Sequence, residues 1–264
     1  MEQTKDDIIL ATEDLELHFG GIRAINGICF QVKRGRILSI IGPNGAGKTC
    51  LINCITGYYH PQRGRILFEG QNIVGLKPHQ IARQGISRTF QDPTTYPNMT
   101  ALDILMAARY IHTKATILEA MLYFGRSRQE ELSNRRMVEK IISFTRIQEL
   151  RKRPVATMSY GQRKQVEIAR ALAIQPGIVL LDEPMSGLDD VMKEVMTELI
   201  LNMHKQGMTI ILVEHDMGVV MELSHSIIVL DYGKIIAEGT PTEISQDSRV
   251  STAYLGGVTS QGEN

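Results

Sequence analysis

The chain has no excess of charge of either sign: its 264 residues carry 29 Lys+Arg and 29 Asp+Glu. Domains that wrap nucleic acid through phosphate contacts are usually strongly basic, so this balance argues against such a groove. Cysteine is scarce, limited to Cys29, Cys50 and Cys54. An odd number, with no CxxC pair and no Cys/His spacing suited to zinc, points to small buried hydrophobes in a reducing compartment. No apolar run approaches the roughly 18 residues needed to cross a bilayer. Residues 1–7 are polar and acidic and contain no signal-peptide core. Internal repeats and low-complexity tracts are lacking too. These absences predict a cytosolic chain that reaches a membrane only through partners. What is present is ordinary globular composition, 43% hydrophobic and 22% charged. That length and composition can bury a core without disulfide or metal staples, as one large domain or a core with an inserted subdomain.

Turn signals divide residues 8–41 into three expected strands, 15–19, 24–32 and 36–41, broken by Gly20-Gly21 and Lys33-Arg34-Gly35. A Gly-rich loop and a helix over 48–56 follow, then a strand at 65–68, a helix at 78–84 with Pro78 in its first turn, and a strand at 86–90. From 99 to 150 apolar residues recur at helical spacing: Leu102, Leu105 and Met106, with Arg109 in the same register, then Ile117, Leu118, Met121 and Leu122, then Val138, Ile141, Ile142 and Phe144. No strand signal interrupts them, which predicts a helical subdomain inserted in an α/β core. A helix is expected over 161–174. Buried strands are expected at 178–181, 209–213 and 227–230, with helices near 190–205 and 217–223 between them. Tyr232-Gly233 reads as a hairpin turn into a strand at 234–237, and 256–264 as a frayed end.

Gly42-Pro43-Asn44-Gly45-Ala46-Gly47-Lys48-Thr49 fits G-x-x-x-x-G-K-[ST] at every position, between an apolar strand and a helix. The glycines let backbone N–H groups converge on phosphate oxygens, and the helix presents its positive end to the same anion. Lys48 can reach the β- and γ-phosphates, and the Thr49 hydroxyl can ligate Mg²⁺. This identifies a nucleoside triphosphate site of the P-loop NTPase kind. It does not choose among ATPase, GTPase and kinase.

A second apolar strand, 178–181, ends in Asp182-Glu183. Ligands of doubly wound sheets bind beyond the carboxyl ends of the strands, which places both carboxylates beside the phosphates. Asp182 would then hold the Mg²⁺ shell, and Glu183 would orient and deprotonate the attacking water. Upstream, Ser159-Tyr160-Gly161-Gln162 opens a helix with a natural N-cap and a permissive glycine. A helix start with a free hydroxyl is another anion site, and its economical use is to bind the nucleotide of a second subunit.

With these motifs in order, the chain resembles the ATP-binding cassette family over nearly its whole length. Residues 42–49 look like its Walker A, 178–183 like its Walker B with the catalytic glutamate, and 159–162 like its signature motif. The resemblance implies an α/β fold: a P-loop core with a mostly parallel sheet, an N-terminal antiparallel β subdomain and an inserted helical subdomain. The whole of 1–264 would form one nucleotide-binding domain. Its core and β subdomain would cover 8–98 and 176–240, the helical subdomain with the signature 99–175, and a C-terminal tail 241–264. It also implies roles for single residues. Gln91 resembles the glutamine that contacts Mg²⁺ and water and senses the membrane partner. Ser186-Gly187-Leu188-Asp189 resembles the D-loop, and His215 the switch histidine that holds the γ-phosphate. Phe19 lies where the family places an aromatic against adenine.

Local strings resemble the LivG-type branch, which serves branched-chain amino acid importers: Phe19-Gly20-Gly21, Arg88-Thr89-Phe90-Gln91, Pro97-Asn98-Met99-Thr100, Val213-Glu214-His215-Asp216-Met217 and Ala253-Tyr254-Leu255-Gly256. Departures are Cys50, where a second hydroxyl beside the phosphates is usual, Asp189-Asp190 after the D-loop, and Asp103-Ile104, where Glu-Asn is common. The implied machine is two cassettes that clamp ATP and hydrolyse it with Mg²⁺. Integral membrane permease subunits would dock near Gln91 and the helical subdomain, and an external solute-binding protein would act indirectly. The chain would then be cytoplasmic and peripheral on the inner face of the membrane. The competing expectation is a soluble ABC ATPase acting on nucleic acid or ribosomes. Against it, the chain has neither the long heptad coiled coils of repair forms nor the tandem cassettes of ribosome-acting forms. A P-loop kinase or GTPase would lack the Ser159 motif and the His215 switch.

Overall fold

The computed structural model describes residues 7–89, 97–112 and 126–255. An antiparallel sheet of order β2-β1-β4-β5 is built from β1 (Ile8–Phe19), β2 (Ile22–Lys33), β4 (Arg63–Phe68) and β5 (Gln71–Asn72). A six-stranded sheet of order β10-β9-β3-β8-β7-β6 carries β3 (Ile37–Ile41), β6 (Ile86–Arg88), β7 (Ile178–Asp182), β8 (Thr209–Val213), β9 (Ser226–Asp231) and β10 (Lys234–Gly239). The β3–β8, β3–β9, β7–β8 and β6–β7 pairings are parallel, and only β9–β10 is antiparallel. The expected mostly parallel core sheet with an antiparallel β subdomain is therefore what forms.

Strands β3, β7 and β8 are buried at every residue. That is why they read as continuous apolar runs rather than alternating ones: both faces of the sheet are covered. Leu180 and Ile211 face a core shared with the antiparallel sheet and α1 (Lys48–Ile55), where Leu10, Ile28, Leu51 and Phe68 meet them. Leu181 and Leu212 face the opposite way, into a core shared with the helices. Those helices are α3 (Ala101–Arg109), α4 (Arg126–Phe144), α5 (Tyr160–Ala173) and α6 (Asp190–Lys205), following the short α2 (Pro78–Gln84). Leu105, Val138, Ile142 and Val166 fill this second core at the spacing read from sequence. Ile117, Leu118, Met121 and Leu122 lie outside the described residues. Arg109 is buried with its neighbours: its guanidinium donates to Ala173 O at 2.9 Å and Gln175 Oε1 at 2.7 Å, tying α3 to the end of α5. Burial pulls its pKa below the usual arginine value.

Most boundaries fall within one or two residues of the sequence expectation, and two regions differ by more. Strand β1 starts at Ile8 rather than 15, because Asp14 (φ 47°) sits in a left-handed conformation among register shifts that break the period-two alternation. Residues 241–255, expected as a tail, form α8 (Pro241–Gln246) and α9 (Ser248–Leu255), after α7 (Met217–Leu223). Ile244 and Val250 bury themselves against Ile41, Val220 and Val229, which gives this end of the chain a small core of its own.

Gly64, on β4 beside the irregularity of its antiparallel neighbour β1, has φ +89°, and an added Cβ would lie 2.3 Å from Asp14 O and 2.5 Å from Glu13 O. Gly64→Ala should cost on the order of 3 kcal/mol through combined strain and overlap. Urea unfolding followed by circular dichroism checks it, and an unchanged midpoint would refute this close approach.

Candidate nucleotide site

The loop 42–49 leaves the end of β3 under tight steric constraint. A Cβ on Gly42 (φ +148°) would sit 2.1 Å from Leu230 O, and one on Gly47 (φ +104°) 2.6 Å from Ala24 O. Glycine is required here because β9 and β2 press on the loop from both sides. Gly233 N donates to Ala46 O and Asn26 N to Gly233 O, both at 2.9 Å, so the β9–β10 turn braces the loop. Asn44, Gly45 and Thr49 are exposed. Helix α1 has no side-chain cap and no acidic residue in its first turn, leaving its positive end open to an anion. The Lys48 ammonium folds back to donate to Gly42 O at 2.6 Å and Pro43 O at 3.0 Å. Burial lowers its pKa from the usual lysine value, while Glu183 and Asp182 push it back up. Cys50 turns toward the apolar core under α1. Burial raises its thiol pKa and takes that of Cys54 to about 12, so both are neutral thiols.

Asp182 ends β7 and is held by a buried network. Arg88, at the end of β6, donates to Asp182 Oδ2 at 2.8 Å and to Asn53 Oδ1 of α1 at 2.6 Å. Asp182 N donates to Thr89 Oγ1 at 3.2 Å. The other carboxylate oxygen, Asp182 Oδ1, is buried without a partner. Glu183 follows in a left-handed conformation (φ 49°), its N–H donating to Val213 O at 2.9 Å. On the neighbouring strand Glu214 is buried. It accepts from Met185 N at 2.7 Å and His215 N at 3.1 Å, so one carboxylate ties the chain leading into Ser186–Asp189 to His215. Burial raises its pKa above the usual carboxylate value against the pull of these donors. The His215 ring itself is largely exposed.

Ser159 caps α5 reciprocally: its Oγ accepts from Gln162 N at 3.2 Å, and Gln162 Oε1 accepts from Ser159 N at 3.0 Å. Tyr160 lies against the D-loop, where a Cβ on Gly187 would meet its ring at 3.1 Å, and Gly161 leaves room for Met192 and Leu188. Asp189 caps α6 by accepting from Met192 N at 2.8 Å. Phe19, 46% exposed at the β1–β2 hairpin, packs edge-on against Tyr59 with ring centroids 5.2 Å apart. Gln91 and Phe90 lie outside the described residues. Sequence reasoning missed Asn53, Glu214 and Lys164, and gave Arg88 no role. A charged residue adjoining an apolar strand was the available signal for Arg88 and Glu214.

The ABC transporter family model matches residues 25–186, and the model for the branched-chain amino acid ATP-binding cassette transporter matches 234–259. The chain is 37% identical over 249 residues to the high-affinity branched-chain amino acid transport ATP-binding protein BraF of Pseudomonas aeruginosa, covering 94% of this chain and 98% of that one. It is 37% identical over 252 residues to LivG of Escherichia coli, with the same coverage. Among solved structures it is similar to the ADP conformation of the ATP-binding cassette MJ1267, with a TM-score of 0.82 and 32% identity over 94% of this chain and 99% of that one. A nucleotide-free ATP-binding cassette matches with a TM-score of 0.81 and 32% identity, over 94% and 98%.

Arg88 and Asp182 side chains are 11% and 1% exposed. Arg88→Met leaves a buried carboxylate uncompensated and should cost about 3–5 kcal/mol. Adding Asp182→Asn should return part of that loss. Urea unfolding of the parent, the singles and the double mutant checks the coupling, and strictly additive singles would refute it.

Proposed function

We infer the function from one premise: the chain belongs to the ABC transporter family and is an ATP-binding, ATP-hydrolysing subunit of it. We propose that it drives a permease for branched-chain amino acids, the cargo named for its relatives BraF and LivG. The observation that carries the catalytic reading is the strand register. Asp182 pairs with Val213 of β8, and Val213 pairs with Ile40 of β3, so the acidic pair and the phosphate loop share one edge of the sheet. Lys48 feels both Glu183 and Asp182.

In this reading ATP phosphates lie along the amides of 42–49, and Lys48 exchanges the Gly42 and Pro43 carbonyls for the β- and γ-phosphates. Phe19 receives the adenine. Thr49 Oγ1, Asp182 and Gln91 would hold Mg²⁺. The buried, partnerless Asp182 Oδ1 and the hard oxygen donors suit such an ion, which neutralises phosphate charge when bound. Glu183 takes a proton from the water that attacks the γ-phosphorus, giving ADP and phosphate. His215 holds the γ-phosphate. A second cassette supplies its own Ser159-Tyr160-Gly161-Gln162 helix and Asp189 to close over the nucleotide and exclude water.

The permease side is read from a groove of about 360 Å³ at the junction of core and helical subdomain, lined by Ile81, Ser87, Ala108, Ala171 and Ile174 among others. Its lining residues Ser87 and Arg88 precede Gln91 in the sequence, and a short helix from each membrane subunit would dock in it. No helix among the described residues is long and apolar enough to cross a membrane. The cassette would sit on the cytoplasmic face through those subunits, with an external solute-binding protein delivering cargo. The soluble-ATPase alternative gains nothing from a chain of zero net charge.

Glu183→Gln should keep ATP affinity by calorimetry while turnover falls roughly 10²–10⁴-fold. Undiminished steady-state hydrolysis would sink its role. Lys48→Ala should weaken ATP binding roughly 30- to 100-fold, the worth of a charged phosphate contact. Chelating Mg²⁺ with EDTA should stop turnover. Affinity capture from detergent-solubilised native membranes should recover polytopic subunits and a second cassette. Recovery of ribosomes or DNA-repair proteins instead would favour the soluble reading.

A further inference from the structure

Lys164 lies on α5, in the first turns after Ser159, and is only 6% exposed. Lysine is almost never this buried, because its ammonium is costly to desolvate unless paired. Its Nζ donates to the main-chain carbonyl of Glu183 at 2.5 Å and sits 5.2 Å from the centre of the Tyr160 ring. Burial lowers its pKa, and Glu214, Glu183 and Asp182, in that order, hold it up. The cation therefore belongs to the acidic end of β7 and β8, not to solvent.

Glu183 needs such a partner. Its left-handed backbone (φ 49°) disfavours any residue with a Cβ and persists only where the surroundings over-determine it. Val213 O fixes its N–H at 2.9 Å, and Ser186 N reaches its carbonyl at a longer 3.3 Å. The short, charged contact to that carbonyl comes from Lys164. Tyr160 lies close to Gly187 of the same loop, and Lys164 stands over its ring.

We propose that Lys164 is a positioning residue for Glu183: it clamps the glutamate's backbone and so makes the aim of the carboxylate depend on the seating of the Ser159–Gln162 end of α5. This rests on the reading of Glu183 as the base. A helix that contacts the nucleotide of the opposite cassette thereby adjusts the glutamate of its own, and the two sites are linked within each chain by one hydrogen bond.

The test uses the full chain. Lys164→Met keeps the side chain's length and removes the charge, while Lys164→Arg keeps a donor. Lys164→Met should lower kcat about 10- to 100-fold, as for a misplaced catalytic group, with the KM for ATP and calorimetric ATP affinity within about twofold. Lys164→Arg should keep a larger share of kcat. In a Glu183→Gln background, Lys164→Met should cause no further loss, because the group it aims is gone. Hydrogen–deuterium exchange should accelerate at residues 183–187 and stay unchanged at 166–173. A full additional loss in the Glu183→Gln background, an effect confined to KM, or faster exchange along the whole helix would overturn the clamp. Undiminished turnover in Glu183→Gln alone would instead remove the reading of Glu183 as base. Lys164→Gln, run in parallel, provides the same exchange comparison where Lys164→Met does not fold.

Discussion

The site depends on the parallel register of β3, β8 and β7. Hydrogen bonding fixes neighbouring strands at about 4.8 Å, so the exits of β3 and β7 stand roughly 10 Å apart with β8 between them. All three chains leave at the same edge because the pairing Ile40–Val213–Asp182 runs straight across. From one edge the sheet thus projects the loop 42–49, the pair Glu214-His215 and the pair Asp182-Glu183. An antiparallel β8 would send His215 to the far side. The burial of these strands, with aliphatic side chains on both faces, holds the register: a one-residue slip would exchange the two cores to which Leu180 and Leu181 belong.

Placing so much charge at the end of a buried sheet has a cost that the structure offsets locally. Asp182 is answered by Arg88, Glu214 by the amides of Met185 and His215, and Lys48 by the carbonyls of its own loop. The first two answers also join elements. Arg88 links β6 to α1 through Asn53, and Glu214 links β8 to the D-loop. The buried polar groups therefore specify where the loops sit as much as they stabilise the fold. In this network Asp182 Oδ1 and Arg88 Nε are left without a partner, and the open carboxylate oxygen is the acceptor that a phosphate-bound cation would need.

The elements legible in sequence were those governed by local rules. Helix α2, with Pro78 at its start, and strand β8, with its apolar run between turn signals, match the reading residue for residue. The phosphate loop was legible because its glycines answer a steric demand that no other residue meets. The β1 start was not, because the Asp14 kink coincides with shifts in the pairing of β1 with both β2 and β4, tertiary contacts with no trace in the local pattern. The packed end at 241–255 was passed over because each helix there is short, and Ile244 and Val250 have partners distant in sequence. Family resemblance supplied the roles of His215 and Asp189. It could not supply Glu214, Arg88 or Lys164, whose meaning lies in what they touch.

Helix α5 shows why the network matters beyond a single site. Its first turn presents Ser159 and Gln162, already satisfied by a reciprocal cap, so the N-terminus is rigid before any ligand arrives. Its next turn presents Lys164 inward to the Glu183 carbonyl, and its far end is held by Arg109 from α3. A rigid rod anchored at both ends and in the middle cannot bend to absorb a load at its tip. A displacement at Ser159 must therefore appear at Glu183 or at the α3 contact. The Arg109 guanidinium, buried in the helical core, grips Ala173 O and Gln175, and Lys164 grips the Glu183 carbonyl, so any such load falls on these two contacts. With Glu183 as the base, as proposed, the seating of α5 on a second cassette would be transmitted through Lys164 to the carboxylate that needs the most exact aim.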